Sequence, residues 1–145
     1  MTLPSSVRLV RVDASHLRLF EAVADDVFDD VIDVDQLTAF VDAGQLMVVA
    51  VDDGTVVGQV QAMVQYHVDG PPQLYVDNLG VASSHQRRGI ARSLVSDVVA
   101  WSSEVGCVET WILTDLDNDG ANGFYRSIGT ERSTVVLHSL DQGEE

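Results

Sequence analysis

The stretch Gln86-Arg87-Arg88-Gly89-Ile90-Ala91 lies between an apolar strand-like run and an amphipathic helical pattern. A glycine at such a junction lets the backbone approach a ligand closely, and a helix start presents unpaired N–H groups and a positive dipole end. Three of the chain's eight basic residues, Arg87, Arg88 and Arg92, fall within six positions here. The stretch therefore predicts an anion site suited to a pyrophosphate. A solvated helix start that carries surface arginines is the alternative.

Outward from this stretch, hydrophobic periodicity predicts six strands and four helices in the order β-α-α-β-β-β-α-β-α-β. Asp53-Gly54 between two β-branched runs predicts a tight hairpin, and Gly106 is placed to end the long helix. The order is typical of an α/β sandwich with a mostly antiparallel sheet and one βαβ crossover. The predicted strands are Val7–Val12, Leu46–Val51, Val56–Tyr66, Leu74–Val81, Val108–Thr114 and Ser133–Leu140, and the predicted helices are Asp13–Phe28, a segment from an N-cap at Asp35 to Gly44, Gly89–Glu104 and Gly120–Ser127.

The length of 145 residues and the 46% hydrophobic content suit one compact domain over residues 1–145. A single cysteine, Cys107, excludes an intrachain disulfide and a cysteine-based zinc site. No apolar run approaches the roughly 18 residues that a membrane span needs, and the first residues lack the pattern of a signal peptide. We therefore expect a cytoplasmic protein with no membrane partner.

The chain is strongly acidic, with 23 acidic residues against 8 basic ones, a formal net charge of −15 and no lysine. A field of this sign repels nucleic acid and anionic membrane and attracts cations. A halophilic or GC-rich source would produce the same overall acidity, so the local placement of charge has to carry any functional argument. The densest acidic segment contains Asp25, Asp26, Asp29, Asp30, Asp33 and Asp35.

A second motif, Asn118-Asp119-Gly120-Ala121-Asn122-Gly123-Phe124-Tyr125, follows the first in the predicted order of elements. Together the two motifs resemble the GNAT superfamily of acyl-CoA-dependent N-acetyltransferases. Gln86–Ala91 matches the pyrophosphate loop of that superfamily, and Asn118–Tyr125 matches its Asn-x-x-Ala-x-x-(aromatic or aliphatic)-Tyr segment. The resemblance implies a GNAT fold, with about six or seven strands flanked by four helices, and acetyl-CoA as co-substrate.

Two further stretches, Asp77–Ala91 and Phe124–Leu140, look like the gentamicin-type aminoglycoside 3-N-acetyltransferases. Many superfamily members have phenylalanine after the glycine of this second stretch, whereas this chain has Thr130. The resemblance implies a small cationic acceptor, an aminoglycoside, and acetylation at the 3-N position. The family commonly dimerises through C-terminal strands, so a homodimer that pairs through Ser133–Leu140 is also implied.

The resemblance gives main-chain roles to the strand before the loop, where an N–H near Val81 would polarise the thioester carbonyl. Tyr125 matches the family tyrosine that protonates the thiolate or hydrogen-bonds the sulfur; an aromatic residue that caps the core is the alternative. Asn118 would hydrogen-bond the pantetheine, or serve as a turn residue. The implied acetyl-CoA-binding residues are Leu79, Gly80, Val81, Gln86, Arg87, Arg88, Gly89, Ile90, Ala91, Asn118 and Tyr125.

Two carboxylates are candidates for the general base. Asp77 lies in an otherwise apolar strand, on the face shared with Leu79 and Val81, where a buried carboxylate must be hydrogen-bonded, paired or protonated. Asp115 ends the next strand, on the side where the acceptor should enter, or it caps a turn. A dense acidic segment would also attract a polycationic acceptor, although a solvated acidic face is as plausible. The predicted acceptor-binding carboxylates are Asp29, Asp30, Asp33, Asp77 and Asp115.

The pattern Asp115-x-Asp117-x-Asp119-Gly120 imitates the opening of a calcium EF-hand loop. The twelfth position holds Arg126 where calcium requires a bidentate glutamate, so no metal is predicted. The only cysteine lies outside the motifs, which favours direct transfer in a ternary complex. Two alternatives remain: the same chemistry on a polyamine, another small amine or a protein amine, or a non-catalytic acyl-CoA-binding sensor module.

Overall fold

One sheet of five strands occupies the part of the chain before Thr114. The computed structural model describes residues 2–143. The strands lie in sequence order across the sheet; all neighbours are antiparallel except β4 and β5, which run parallel. This mixed, mostly antiparallel sheet confirms the predicted class. Its strands are β1 (Val7–Arg11), β2 (Leu46–Asp52), β3 (Thr55–Gln65), β4 (Gln73–Val81) and β5 (Thr110–Ile112).

The long second α-helix connects β4 to the parallel β5 and packs its apolar side on β2, β3 and β4. Each fully buried aliphatic side chain there contributes about 1.5–3 kcal/mol. The start of this helix, where the predicted anion site lies, is therefore held firmly on the sheet. The α-helices are α1 (Val34–Asp42), α2 (Ile90–Glu104) and α3 (Asp119–Ser127), the 3₁₀ helices are Ala14–Glu21 and Ser83–His85, and the buried residues of α2 are Ile90, Leu94, Val95, Val98 and Ser102.

The hairpin between β2 and β3 has the turn that the sequence predicts. Asp53 and Gly54 both have left-handed backbone, with φ of 49° and 78°, as a two-residue turn of this hand requires. Gly106, with φ of 101°, follows the end of α2 in the same way. No helix within residues 2–143 is long and apolar enough to cross a membrane.

The first predicted helix, Asp13–Phe28, is wrong in type and length. A 3₁₀ helix over Ala14–Glu21 replaces it, with Asp13 as its N-cap. It ends because the following backbone pairs with β3: Ala24 donates to the carbonyl of Val56 and Val56 donates to that of Ala22. The predicted N-cap at Asp35 is also wrong, since Asp33 occupies that position for α1.

The predicted sixth strand, Ser133–Leu140, is not formed, so the expected six or seven strands are not matched. Residues 130–143 have no helix or strand, and Val135, Val136, Leu137 and Leu140 are exposed. β-Branched residues supply strand propensity, but a strand also needs a hydrogen-bonded neighbour. The segment has no such neighbour within residues 114–143.

The chain divides into two compact units, one up to Leu113 and one from Thr114 onward. The second unit is built around α3, whose N-cap Asn118 accepts a hydrogen bond from the N–H of Ala121 at 3.1 Å. The hydroxyl of Thr130 donates to the carbonyl of Tyr125 at 2.8 Å and closes the other end. Thr130 therefore stabilises the last turn of α3, and phenylalanine at this position would lose that bond.

Candidate active site

The β4 strand contains a bulge at the point where the predicted site begins. Gln61 pairs with Asn78 and Ala62 pairs with Val76, so Asp77 is an extra residue without a partner in β3. β5 pairs only with Leu74–Val76, and beyond the bulge the outer edge of β4 has no strand partner in the described residues. Backbone N–H and C=O groups on this edge are available to an extended ligand.

The loop between β4 and α2 has a backbone suited to an anion. Arg87 and Gly89 both adopt left-handed backbone, with φ of 63° and 79°, and Gly89 is the N-cap of α2 without a side-chain hydrogen bond. Successive N–H groups in such a turn, together with the uncapped helix start, form a concave anion-binding surface. Arg88 is exposed beside it. The predicted pyrophosphate loop therefore fits the group in shape and charge.

The other loop residues divide between surface and core. The amide of Gln86 donates to the carbonyl of Val81 at 3.3 Å and ties the loop back to β4. Ile90 is buried and Ala91 is half-buried, so both can meet a ligand only through the backbone. The structure thus brings together Gln86–Ala91 and the open edge of β4 that contains Leu79–Val81.

A pair of side chains that the sequence does not reveal supports this loop. His85 Nε2 lies 2.7 Å from Asp52 Oδ2, and its Nδ1 lies 2.7 Å from Ser84 Oγ. The hydrogen bond from His85 is the main reason that the pKa of Asp52 lies below its ordinary value, and the charge of Arg88 acts in the same direction. Asp52 and His85 are 33 residues apart, so no local pattern predicts the contact.

A chain of amides links the sheet to the acidic segment. Gln59, which is fully buried, donates to the carbonyl of Val27 at 3.1 Å and to Asn78 Oδ1 at 2.7 Å, and it accepts from Gln61 at 3.2 Å. Asn78 Nδ2 in turn lies 3.4 Å from Asp29 Oδ2. From Gln61 to Gln59, Asn78 and Asp29, each amide donates to the next residue. This series of hydrogen bonds orients the Asp29 carboxylate at the edge of β4. Two glutamines in an apolar run are the only sequence signal for it.

The acidic segment does not act as a uniform surface. Asp33 Oδ1 accepts from the N–H groups of Asp35 and Gln36 at 2.9 and 3.2 Å, so this predicted acceptor ligand is an N-cap. Asp26 accepts from the hydroxyl of Ser83 at 2.8 Å. Of the three predicted acceptor ligands in the segment, Asp29 and Asp30 remain exposed to solvent with their charge available.

The expected burial of Asp77 is wrong. The bulge interrupts the alternation of β4 at Asp77, and the Asp77 side chain is exposed. Asp77 acts on Tyr75, whose pKa is raised by burial and, to a smaller extent, by the Asp77 carboxylate. Burial therefore does not prepare Asp77 as a base; exposure instead leaves it able to act through water.

In the second unit, Tyr125 is half-buried on α3 and packs edge-to-face with Phe124, with ring centroids 5.2 Å apart. Burial raises the pKa of the Tyr125 phenol, so the hydroxyl keeps its proton at neutral pH. A protonated, partly desolvated phenol is suited to donate a proton to a leaving group. Proton donation by Tyr125 therefore stays a prediction.

The loop before α3 is organised by amides. Asn118 uses its side-chain oxygen as the helix cap and its backbone N–H to bind the carbonyl of Asp115, so only its side-chain N–H groups are left for a ligand. Asn122, which the sequence analysis did not single out, donates from Nδ2 to the carbonyls of Asp115, Leu116 and Asn118 at 2.9–3.2 Å. Asp115 is exposed, and its carboxylate caps no helix described in the structure.

The fold and the loop between β4 and α2 together indicate the class of protein. A bulged β4 with an open edge, followed by a glycine-containing anion loop at the start of α2, suits an extended ligand with a phosphate group, as an acyltransferase that uses acyl-CoA requires. The family model described as "Acetyltransferase (GNAT) family" matches residues 11–130. The chain therefore belongs to the GNAT acetyltransferases, which use acetyl-CoA. In residues 2–143, no group of three or more His, Cys, Asp or Glu side chains could hold a metal ion.

The similar proteins include aminoglycoside acetyltransferases. An aminoglycoside N(6')-acetyltransferase type 1 of Salmonella typhimurium is 23% identical over 113 residues, which are 75% of this chain and 72% of that protein. Among solved structures, the aminoglycoside acetyltransferase meta-AAC0020 from an uncultured soil metagenomic sample, in complex with trehalose, has a TM-score of 0.82 at 20% identity and covers 99% of this chain and 100% of its own.

A second solved structure is AAC(6')-Iy in complex with the bisubstrate analogue CoA-S-monomethyl-acetylneamine. Its TM-score is 0.79 at 20% identity, over 96% of this chain and 100% of that one. Identities this low show the shared fold. The names of the relatives specify the 6' position, whereas the sequence predicts the 3-N position, so the predicted subtype is not the one these proteins carry.

Proposed function

We propose that the chain is an acetyl-CoA-dependent N-acetyltransferase that acetylates an amine of an aminoglycoside by direct attack in a ternary complex. The observation that carries the proposal is the loop Gln86–Ala91, whose left-handed residues and uncapped helix start follow bulged β4 and are tied to it through Gln86 and the carbonyl of Val81. Two supports come from outside the chain: several of its relatives are named for aminoglycosides, and the AAC(6')-Iy ligand joins CoA to the acceptor analogue in one molecule.

The donor side of the site acts through backbone and arginine. The main chain of Leu79, Gly80 and Val81 would hydrogen-bond the pantetheine arm and polarise the thioester carbonyl, while Arg87 and Arg88 would pair with the phosphate charges. The side-chain NH₂ of Asn118, which the helix cap does not use, would donate to the pantetheine arm. Acetyl-CoA supplies the activated acetyl group, and these residues bind and orient it.

The proton transfers fall to three side chains. Asp77 or Asp115 would take the proton of the acceptor ammonium through water, or hold the ammonium, so that the neutral amine attacks the thioester carbon. Tyr125 would then donate its phenolic proton to the departing thiolate. No covalent intermediate on the enzyme is needed, since Cys107 is buried and burial raises the pKa of its thiol.

The acceptor side would use the carboxylates Asp29 and Asp30, because an aminoglycoside carries several ammonium groups. Asp29→Asn is expected to raise the KM for gentamicin up to about fivefold, the effect of an exposed ion pair, with the KM for acetyl-CoA unchanged. Steady-state kinetics on both substrates checks this. Asp69→Asn is the matched control, since Asp69 is exposed on the loop after β3, and an equal effect there would mean that only bulk charge matters.

The function itself is tested by thiol release from acetyl-CoA with gentamicin, kanamycin, spermidine and a peptide amine as acceptors. Turnover with the two antibiotics is the expected result. Mass spectrometry and NMR of the product identify the acetylated nitrogen. The sequence resemblance predicts the 3-N position, whereas the names of the relatives point to the 6' position. Turnover on spermidine or the peptide alone would support N-acetyl transfer but exclude an aminoglycoside as the acceptor.

The rival from another class is a sensor that binds acyl-CoA without turnover. A sensor needs no proton donor, whereas this chain has a half-buried Tyr125 on α3, whose raised pKa keeps the phenol protonated at neutral pH. Tight CoA binding with no thiol release for any of the four acceptors would favour the sensor over the enzyme.

We also propose that the chain works as one catalytic domain and as a homodimer. The family match over residues 11–130 runs through both compact units, which supports one domain. Exposed Val136 and Leu137 in the segment Ser133–Leu140 support a dimer, because a β-prone apolar segment gains hydrogen bonds and buried area by pairing. Light scattering on the purified protein tests it; a mass of one chain, 15.7 kDa, would exclude the dimer.

A further inference from the structure

We infer that Asp52 is a positioning residue for the donor substrate: through His85 it holds the loop Gln86–Gly89 in the shape that receives the pyrophosphate. The inference rests on the proposed function, in that the loop is taken to bind acyl-CoA. Asp52 is the last residue of β2 and His85 the last residue of the 3₁₀ turn before the loop. Both side chains are largely buried, with 20% and 16% exposed, and they meet at 2.7 Å.

The ring of His85 is fixed at both ends. Its Nε2 meets Asp52 and its Nδ1 meets Ser84 Oγ, each at 2.7 Å. The turn backbone is held as well, since the N–H of His85 donates to the carbonyl of Ala82 and the N–H of Ala82 donates to that of Val57, both at 2.8 Å. The side-chain pair thus joins a rigid hairpin end to the residue that directly precedes the loop.

The loop needs such support because its backbone is strained. Arg87 is a non-glycine residue with φ of 63°, an unfavourable conformation that persists only where its surroundings impose it. Arg87 is exposed and lies two residues beyond His85. When His85 loses Asp52, the turn is free to relax, and the N–H groups that converge on the anion diverge.

Because Asp52 is negatively charged, the direction in which its removal changes the affinity for CoA tests the inference. Three polar groups surround the pair: Ser84 beside the ring, and Ser6 and the positive Arg88, both of which lower the pKa of the Asp52 carboxyl. As a bare charge, Asp52 opposes a pyrophosphate and partly neutralises Arg88, so its removal should tighten CoA binding. As a positioning residue it has the opposite effect, and its removal should weaken binding.

The test is isothermal titration of CoA into the full chain. Asp52→Ala is expected to raise the Kd of CoA about tenfold, as the loss of a partly buried charge-assisted hydrogen bond would. Asp53→Asn removes one charge from the same turn without touching His85, and its left-handed backbone tolerates asparagine; its Kd should stay within twofold of wild type. His85→Ala should match Asp52→Ala, and the double variant should be no worse than either.

A second donor separates positioning from general damage. S-acetyl-pantetheine lacks the pyrophosphate, so Asp52→Ala should leave its KM within twofold while the KM of acetyl-CoA rises about tenfold. Tighter or unchanged CoA binding in Asp52→Ala, or equal loss with both donors, would overturn the inference. Failure of wild type to bind CoA would instead overturn the proposed function, so the two failures are distinguishable.

Discussion

Replacing Tyr125 with phenylalanine is expected to lower kcat about 10²-fold, the lower end of what a positioned proton donor contributes. The substitution keeps the ring and its edge-to-face contact with Phe124, so it removes the hydroxyl and little else. Burial raises the pKa of the phenol, which means that wild type offers the proton throughout the neutral range. Thiol release measures kcat, and titration of CoA should give a nearly unchanged Kd.

Tyr66→Phe is the matched control, because Tyr66 is exposed at the end of β3 and loses the same atom. It should leave kcat and both KM values as in wild type. The pH profile adds a second readout: the donor form is the protonated one and its pKa is raised, so Tyr125 itself should cause no loss of wild-type kcat below about pH 10. If Tyr125→Phe turns over at the wild-type rate, another group protonates the thiolate; if it loses CoA binding instead, Tyr125 is a binding residue.

Local sequence signals predicted the elements that depend on neighbours in the chain. The hairpin at Asp53-Gly54, the strands on either side and α2 follow from periodicity and turn chemistry, and their bounds agree within one or two residues. The errors lie where a distant partner decides. Ala22 and Ala24 leave the predicted helix because β3 offers them hydrogen bonds, and Ser133–Leu140 has strand propensity without a described partner.

The candidate site also contains features that depend on neighbours in the chain and features that depend on distant residues. The motif Gln86–Ala91 is contiguous, so the sequence predicted its place between β4 and α2, and the structure adds the left-handed backbone angles that suit the predicted anion site. The groups that hold it are remote in the chain: Gln59 meets Val27 across 32 residues and Asp52 meets His85 across 33. The bulge at Asp77 is equally hidden, because it depends on how β3 and β4 are registered.

Gly80→Ala is expected to lower the free energy of unfolding by about 2 kcal/mol, within the range for an added methyl in a packed site. A Cβ on Gly80 would overlap the carbonyl oxygen of Val27 and lie 3.2 Å from Gln59 Nε2. That carbonyl is backbone, and Gln59 binds it from the sheet at 3.1 Å, so the segment around Val27 has to lift as a unit. Urea unfolding followed by circular dichroism measures the change.

The same displacement should reach the acceptor site, because Asp29 follows Val27 by two residues and is held by Asn78 next to Gln59. Gly58→Ala is the control in the same sheet: its Cβ would lie 3.2 Å from methyl groups of Ile90 and Leu94, which need to move by only a few tenths of an ångström, so the expected loss is smaller, about 1 kcal/mol. Both substitutions reduce the entropy of the unfolded chain equally, so that effect cancels in the comparison. Equal stability of the two variants would mean that the segment around Val27 moves freely. The close packing at Gly80 would then not determine the position of the acidic carboxylates next to β4.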